Sequence, residues 1–260
     1  MNNDIKKVAV VMSVYDGEKS DYLNLSLASI LNDQTYKYID LYLAIDGRIR
    51  DELQTVVSEY KLNKNLKIYQ NEERQGLSVN LNNILIDIKD QYDYIARMDS
   101  DDISFPRRIE KQVKFLEEHK KVNFYDFQGS TWAPHLIHKE LWNRVGGFSE
   151  EFYPGTGSDP DLNMKLWNEG VRIFKNLSKS KIYHFKSKTL RRKISNTGSK
   201  SGKIFLKKWG YSIKFFKKYY LESNTIFKGE LTGPKKNFFY YFDLLLCKIN
   251  YFFVNFFFKE

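Results

Sequence analysis

The run Val8-Ala9-Val10-Val11-Met12-Ser13-Val14-Tyr15 sets the strongest constraint on what this chain can fold into. It is β-branched and almost continuously apolar, whereas a strand with one wet face would alternate, so it reads as a strand covered on both faces. It is too short for the core of a signal peptide, and no secretion is implied. The turn Asp16-Gly17-Glu18 closes it, and from Asp21 to Leu31 the residues Leu23, Leu27, Ile30 and Leu31 recur at helical spacing. A second strand follows over 39–45, closed by Asp46-Gly47. A helix over roughly 50–61, a strand near 66–69, a helix over roughly 77–89 and a strand over 94–98 continue the alternation. That order predicts an α/β fold with a mostly parallel sheet flanked by helices.

In open sheets of this kind, ligands bind beyond the carboxyl ends of the strands. Three such ends carry Ser13, Tyr15 and Asp16; Asp46; and Asp99, Asp101 and Asp102. Asp and Gly favour turns in any case, so no single position marks a site, but an acidic rim assembled from three strand ends does. No Gly-x-Gly-x-x-Gly follows the first strand, so backbone amides alone do not cradle a phosphate there. If a diphosphate binds at this rim, a divalent cation, Mn²⁺ or Mg²⁺, held by Asp101 would neutralise both it and the carboxylates.

Four segments carry a family resemblance: Val10–Tyr15, Ala44-Ile45-Asp46-Gly47, Asn71–Leu77 leading to Asn82, and above all the block Ala96–Arg108 around Asp99-Ser100-Asp101-Asp102, followed by Gln112. Together they resemble the family 2 inverting glycosyltransferases of the Rossmann-like GT-A fold, a bacterial group that builds surface polysaccharides. The resemblance implies a nucleoside-diphosphate sugar donor and a divalent cation. Ser13, Tyr15 and Asp46 would hold the nucleoside, Arg74 would lie near the base or phosphates, Asp99 would face the ribose or donor sugar, and Asp101 would ligate the metal. Asp102 would orient Arg97 or cap the following segment.

A second block, Trp142–Phe152 and then Gly157-Ser158-Asp159-Pro160-Asp161, resembles the family's turn and acidic pair. Asp159 stands where the family has its catalytic base, but Ser158 replaces the more common Glu, which leaves Asp161 as a rival. The same residues also read as an ordinary helix N-cap. Ile182-Tyr183-His184-Phe185 resembles the strand end where GT-A enzymes set a histidine against metal or diphosphate. Arg191 and Arg192 would close over the diphosphate, the rival being a solvated basic loop. From Asp101 to Asp159 there are only 58 residues, short for the family, so Val122–Trp132 must do the work of a further strand and helix. The processive Gln-x-x-Arg-Trp signature is absent, which implies transfer of one sugar at a time.

Charge divides the chain. Residues 1–170 hold 21 Lys+Arg against 28 Asp+Glu, a net −7, while residues 171–260 hold 21 against 4, a net +17. A nucleic-acid coat would not be split in this way, so no nucleic acid partner is expected. Lysines interleaved with aromatics over 203–228 nevertheless keep a basic nucleic-acid-binding protein as an alternative. The expected organisation is a transferase domain over 1–192, with a donor half 1–105 and an acceptor half 106–192, and a basic, aromatic helical tail over 193–260. On a helical wheel Asp243, Asn250 and Lys236 fall together, Lys248, Asn255 and Lys259 lie in the adjacent arc, and Phe, Leu and Tyr fill the rest. That pattern predicts a helix lying in a membrane interface over 234–260, near lysines that attract anionic headgroups. Packing on the domain or on a second copy, as a homodimer, is the rival. A single cysteine, Cys247, fits a reducing cytoplasmic setting, here at the inner face of the cell membrane.

The function expected is transfer of a sugar, with inversion, from the donor to a hydroxyl of a saccharide or lipid-linked saccharide, in polysaccharide, O-antigen or capsule synthesis. A protein that binds the donor without transferring it is the other alternative.

Overall fold

The computed structural model describes residues 5–88, 90–118, 125–126, 135–174, 177, 180–185, 194–223, 225–226 and 228–257. Its main sheet contains β1 (Val8–Val14), β2 (Ile39–Ile45), β3 (Leu66–Gln70), β4 (Tyr94–Arg97) and β7 (Leu136–His138), in the order β3-β2-β1-β4-β7. The first four are parallel, and β7 runs antiparallel to β4 at the edge.

Successive side chains of β1 enter opposite cores, as the strand repeat of two requires. Val8, Val10, Met12 and Val14 pack with α1 (Ser20–Leu31), α2 (Asp51–Tyr60) and α4 (Arg108–Glu118). Ala9 and Val11 pack with α3 (Leu77–Ile88), α5 (Lys139–Val145) and α6 (Ser158–Asn168). Both faces are therefore dry, which is why the run carries no polar alternation. From β1 the sheet grows outward through β2 and β3, and α3 then returns the chain to place β4 on the other side of β1. The order of the strands thus reverses between β1 and β4, the point at which such sheets bind ligands.

Two pairings are not visible in the sequence pattern. β5 (Asp102–Ser104) runs antiparallel to β9 (Ile182–His184), with Asp102 opposite His184, and β6 (Tyr125–Asp126) pairs in parallel with β8 (Ile173–Phe174). Of the stretch 122–132, only 125–126 are described. The short connection nonetheless supplies both β6 and the edge strand β7.

Among the described residues, three helices follow: α7 (Ile194–Trp209), α8 (Ile213–Tyr219) and α9 (Phe238–Phe257). Phe205 of α7 and Phe216 of α8 share the buried cluster of α3, α5 and α6. α9 lies on α7 and α8 through Tyr240, Leu244, Cys247 and Val254. On the same side Asp243 accepts hydrogen bonds from Lys218 Nζ and Tyr219 Oη, each at 2.7 Å. The helix begins at Phe238, so Lys236 precedes it instead of sharing its polar arc. Its outward arc is a seam of Phe238, Phe242, Leu245, Ile249, Phe252 and Phe256, flanked by Phe239, Leu246, Phe253 and Phe257, all exposed. Among the described residues, no helix is long and apolar enough to cross a membrane.

Candidate active site

The parallel strands bring the acidic rim together at their carboxyl ends. The Arg74 guanidinium lies over the Tyr15 ring, 4.8 Å from its centroid. Asp46, just past β2, accepts from the backbone N–H of Gln75 at 2.7 Å and of Gly76 at 3.1 Å, and sits 3.7 Å from Arg74 Nε. Tyr15, Asp46 and Arg74 therefore form one cluster, with the Asp46 carboxylate turned into the 74–76 loop. Ser13 Oγ accepts from Asn80 Nδ2 of α3 at 3.0 Å, which ties the end of β1 to the first turn of that helix.

Arg97, the last residue of β4, is buried and joins two distant parts of the sequence. It donates to Asp99 Oδ1 at 2.7 Å and to both oxygens of Asp159, at 2.9 and 3.1 Å. Burial works against its charge, but Asp159 and then Asp99 more than offset this and hold its pKa above the ordinary value. Of the two roles offered for Asp102, the orienting of Arg97 falls to Asp99 and Asp159; β5–β9 pairing sets Asp102 against His184, whose Nδ1 lies 2.6 Å from Asp102 Oδ1. Behind Arg97 sit two further buried bases. Arg108 donates to the Arg97 carbonyl at 3.3 Å, and burial lowers its pKa to about 10 against the pull of Asp102. The His135 carbonyl accepts from the Arg97 N–H at 3.0 Å, and burial followed by the two guanidiniums keeps its ring neutral.

Asp101, Asp102 and His184 offer ligand atoms that all lie within 4.8 Å of one another. The second oxygen of Asp102 is buried and, among the described residues, has no hydrogen-bond partner. Carboxylate oxygens, one of them orphaned, beside an imidazole make a donor set that fits Mn²⁺ or Mg²⁺. Burial pushes Asp101 up, and the neighbouring Asp99, Glu18 and Asp102 push it further. Burial also raises Asp102, opposed by His184. His184 is raised in turn, chiefly by its hydrogen bond to Asp102.

α5 and α6 deliver the second acidic block. Gly147 has φ +68°, and a Cβ there would lie 2.4 Å from Asn82 Oδ1. The Asn82 amide holds both the N–H and the C=O of Phe148, at 2.8 Å each, so the Gly-Gly-Phe turn is clamped to α3. Asp159 lies in the first turn of α6, where no side chain caps the helix; its carboxylate goes to Arg97 instead. Burial lifts its pKa to about 6, against the lowering by Arg97. Asp161 points away from this group. It is fully buried and accepts from Ser149 Oγ at 2.6 Å and Trp209 Nε1 at 2.8 Å, with Lys208 Nζ at 3.0 Å.

Arg191 and Arg192 lie outside the described residues. Sequence reasoning left two rim residues out of its site set. Glu18 accepts from Ser100 Oγ at 3.4 Å and is raised by burial, and its signal was an acid in the turn after β1. Arg97 was signalled by a charge ending an apolar strand.

Glycosyl transferase family 2 matches residues 9–193. EpsE of Bacillus subtilis, named as a glycosyltransferase, is 40% identical over 120 residues, covering 45% of this chain and 41% of that protein. The O-antigen biosynthesis glycosyltransferase WbnJ of Escherichia coli is 39% identical over 110 residues, 42% of this chain and 41% of that one. The chain thus spans about two fifths of the length of these relatives. Among solved structures, Staphylococcus aureus TarS superposes with a TM-score of 0.61 over 95% of this chain and 43% of its own, at 15% identity. That likeness, with the mostly parallel sheet flanked by helices, matches the GT-A fold. The chain belongs to glycosyl transferase family 2.

Proposed function

We propose that this glycosyltransferase moves one sugar at a time from a nucleoside-diphosphate sugar to an acceptor hydroxyl, with inversion. The observation that carries the reading is Arg97. One guanidinium is shared by Asp99 of the Asp-x-Asp block and Asp159 of α6, so a donor-side carboxylate and a base are held on two sides of one cation. Asp159 takes the acceptor proton as the new bond forms, and a base poised about one unit below neutral pH is ionised yet still basic. Asp161, saturated by its partners, takes no part in the chemistry. Tyr15, Ser13, Asp46 and Arg74 hold the nucleoside, Asp99 faces the ribose or donor sugar, and Arg191 and Arg192 close on the diphosphate. Asp101 and His184, with Asp102, would hold Mn²⁺ or Mg²⁺, which when bound offsets negative charge on the leaving diphosphate. In this reading residues 1–105 serve the donor, 106–192 the acceptor, and 193–260 the surroundings.

TarS has been crystallised with UDP-GlcNAc, which supports a nucleotide-sugar donor for this fold. The name of WbnJ, and that of the amylovoran biosynthesis glycosyltransferase AmsE of Erwinia amylovora, support a role in polysaccharide, O-antigen or capsule synthesis on a saccharide or lipid-linked saccharide. Calorimetry with a panel of nucleoside diphosphates, with and without Mn²⁺, followed by NMR of the product anomer, tests the proposal. Product with retained configuration would overturn it.

The exposed face of α9 supports a site of action at the inner surface of the cell membrane. An arc widened by Phe239, Leu246, Phe253 and Phe257 exceeds the narrow seam of a two-helix homodimer and suits a helix lying in lipid. The excess of Lys and Arg in residues 171–260 suits anionic headgroups.

A further inference from the structure

We infer that the C-terminal helices position the base: the buried junction of Asp161 with Ser149, Lys208 and Trp209 locks α6 to α7 and so fixes where Asp159 points. The inference rests on the reading of Asp159 as base. Asp159 and Asp161 are two positions apart, about 200° around a helix, so holding one face of the first turn rigidly determines the direction of the other.

The junction is built to hold. Trp209 Nε1 donates to one Asp161 oxygen at 2.8 Å and Ser149 Oγ to the other at 2.6 Å. Lys208 Nζ lies 3.0 Å from Asp161 and donates to Ser149 Oγ at 2.8 Å and to Glu151 at 2.7 Å. Lys165 donates to the Gly147 carbonyl at 3.0 Å and lies 3.9 Å from Asp161, so two carboxylates face two ammoniums. A fully buried carboxylate that loses a donor is strongly penalised, which makes this arrangement resist sliding. α7 touches α6 a second time at the helix start. Gly157 has φ +94°, and a Cβ there would lie 2.9 Å from Phe152 Cδ1 and 3.1 Å from Ser201 Cβ of α7. Lys208, Trp209 and Ser201 all lie beyond residue 193, where the family match ends. A segment outside the matched region therefore supports the catalytic helix from behind, and it is the same segment on which α9 rests.

The test uses the full chain and three substitutions. Trp209→Phe keeps the packing and removes the N–H; Lys208→Met removes the ammonium; Lys208→Arg keeps a charged donor. The probe is nucleoside-diphosphate release from the sugar nucleotide that the wild type cleaves fastest, with water in the acceptor's place. Nucleoside-diphosphate affinity is measured by calorimetry, and amide exchange is followed over residues 158–162. Because sub-ångström misplacement of a reacting group is heavily penalised, Trp209→Phe and Lys208→Met are expected to lower kcat about tenfold. They should displace the acidic limb of its pH profile, speed exchange at 158–162, and leave nucleotide affinity within about twofold, with Lys208→Arg recovering most of the rate. Wild-type kcat and pH profile in both variants would overturn the inference, as would loss of nucleotide affinity in step with kcat. An Asp159→Asn variant that releases nucleoside diphosphate at the wild-type rate overturns the reading of Asp159 itself. That failure is distinct, because it is read on Asp159 with the Asp161 junction left intact.

Discussion

Arg97→Met is the perturbation that most directly interrogates the site. In the wild type the guanidinium lies 2.9 Å from Asp159, whose pKa stands at about 6 through burial opposed by that charge. An opposite charge at such range lowers a carboxylate by about 1–3 units, so its removal lifts Asp159 to about 8. The now unshielded Asp99 pushes in the same direction. The base works only when ionised, so the wild-type rate falls as pH drops through about 6, whereas in the variant the fall begins about two units higher. At pH 7 the ionised fraction drops from about nine tenths to about one tenth, a loss of about tenfold in kcat that recovers by about pH 9. The assay is kcat against pH from about 5 to about 9.5 at saturating donor, with thermal melts confirming that the variant is folded. Arg97→Lys keeps the charge but not the paired geometry; its limb should stay near 6 while kcat falls. An Arg97→Met profile scaled down uniformly, with its limb unmoved, would refute the electrostatic reasoning.

Asp159→Asn should abolish turnover while leaving nucleotide binding intact. It should also melt higher than the wild type at pH 8 but not at pH 4, because the folded pKa lies above the unfolded one and ionisation costs the native state up to about 3 kcal/mol as pH rises through that window. Equal melting at pH 8 would contradict the burial cited for this carboxylate. Asp101→Asn and His184→Ala should each remove most of the gain, about 10–100-fold, that Mn²⁺ gives to nucleoside-diphosphate affinity, read by calorimetry with and without EDTA. An undiminished gain places the ion elsewhere. Phe252→Asp with Phe256→Asp should weaken co-sedimentation with phosphatidylglycerol-containing vesicles by at least about 100-fold, two buried aromatic side chains being worth about 3–6 kcal/mol. Unchanged sedimentation, or a dimer–monomer change in light scattering without vesicles, would favour the homodimer.

The parallel sheet was legible because its signal is local. A strand buried on both faces must be apolar throughout, and Val8–Val14 is; α1 and α2 each begin and end within a residue of the expected bounds. The rim was legible because parallel strands all present their carboxyl ends at one edge. What escaped depends on long-range register. Nothing near Asp102 in the sequence says that it will stand opposite His184, 82 positions on. Nor does spacing along α6 reveal that Asp159 meets Arg97 while Asp161 meets Trp209, since that depends on which neighbours pack on each face. The helical wheel of α9 identified an apolar arc but not which arc faces the body; Lys218 and Tyr219, which draw Asp243 inward, belong to a different helix.

That orientation has an energetic consequence for the whole molecule. The outward seam and its flanks comprise ten large apolar side chains, each at least 44% exposed. Withdrawing such an array from water is worth on the order of 10 kcal/mol even at a modest return per residue. This is the same scale as the entire net stability of a typical folded domain. Anything that covers the seam therefore acts as a thermodynamic ligand, raising the unfolding temperature and making it depend on the amount of that cover present. Melting curves recorded in plain buffer and in the presence of lipid or detergent would thus describe two differently stable proteins built from one sequence.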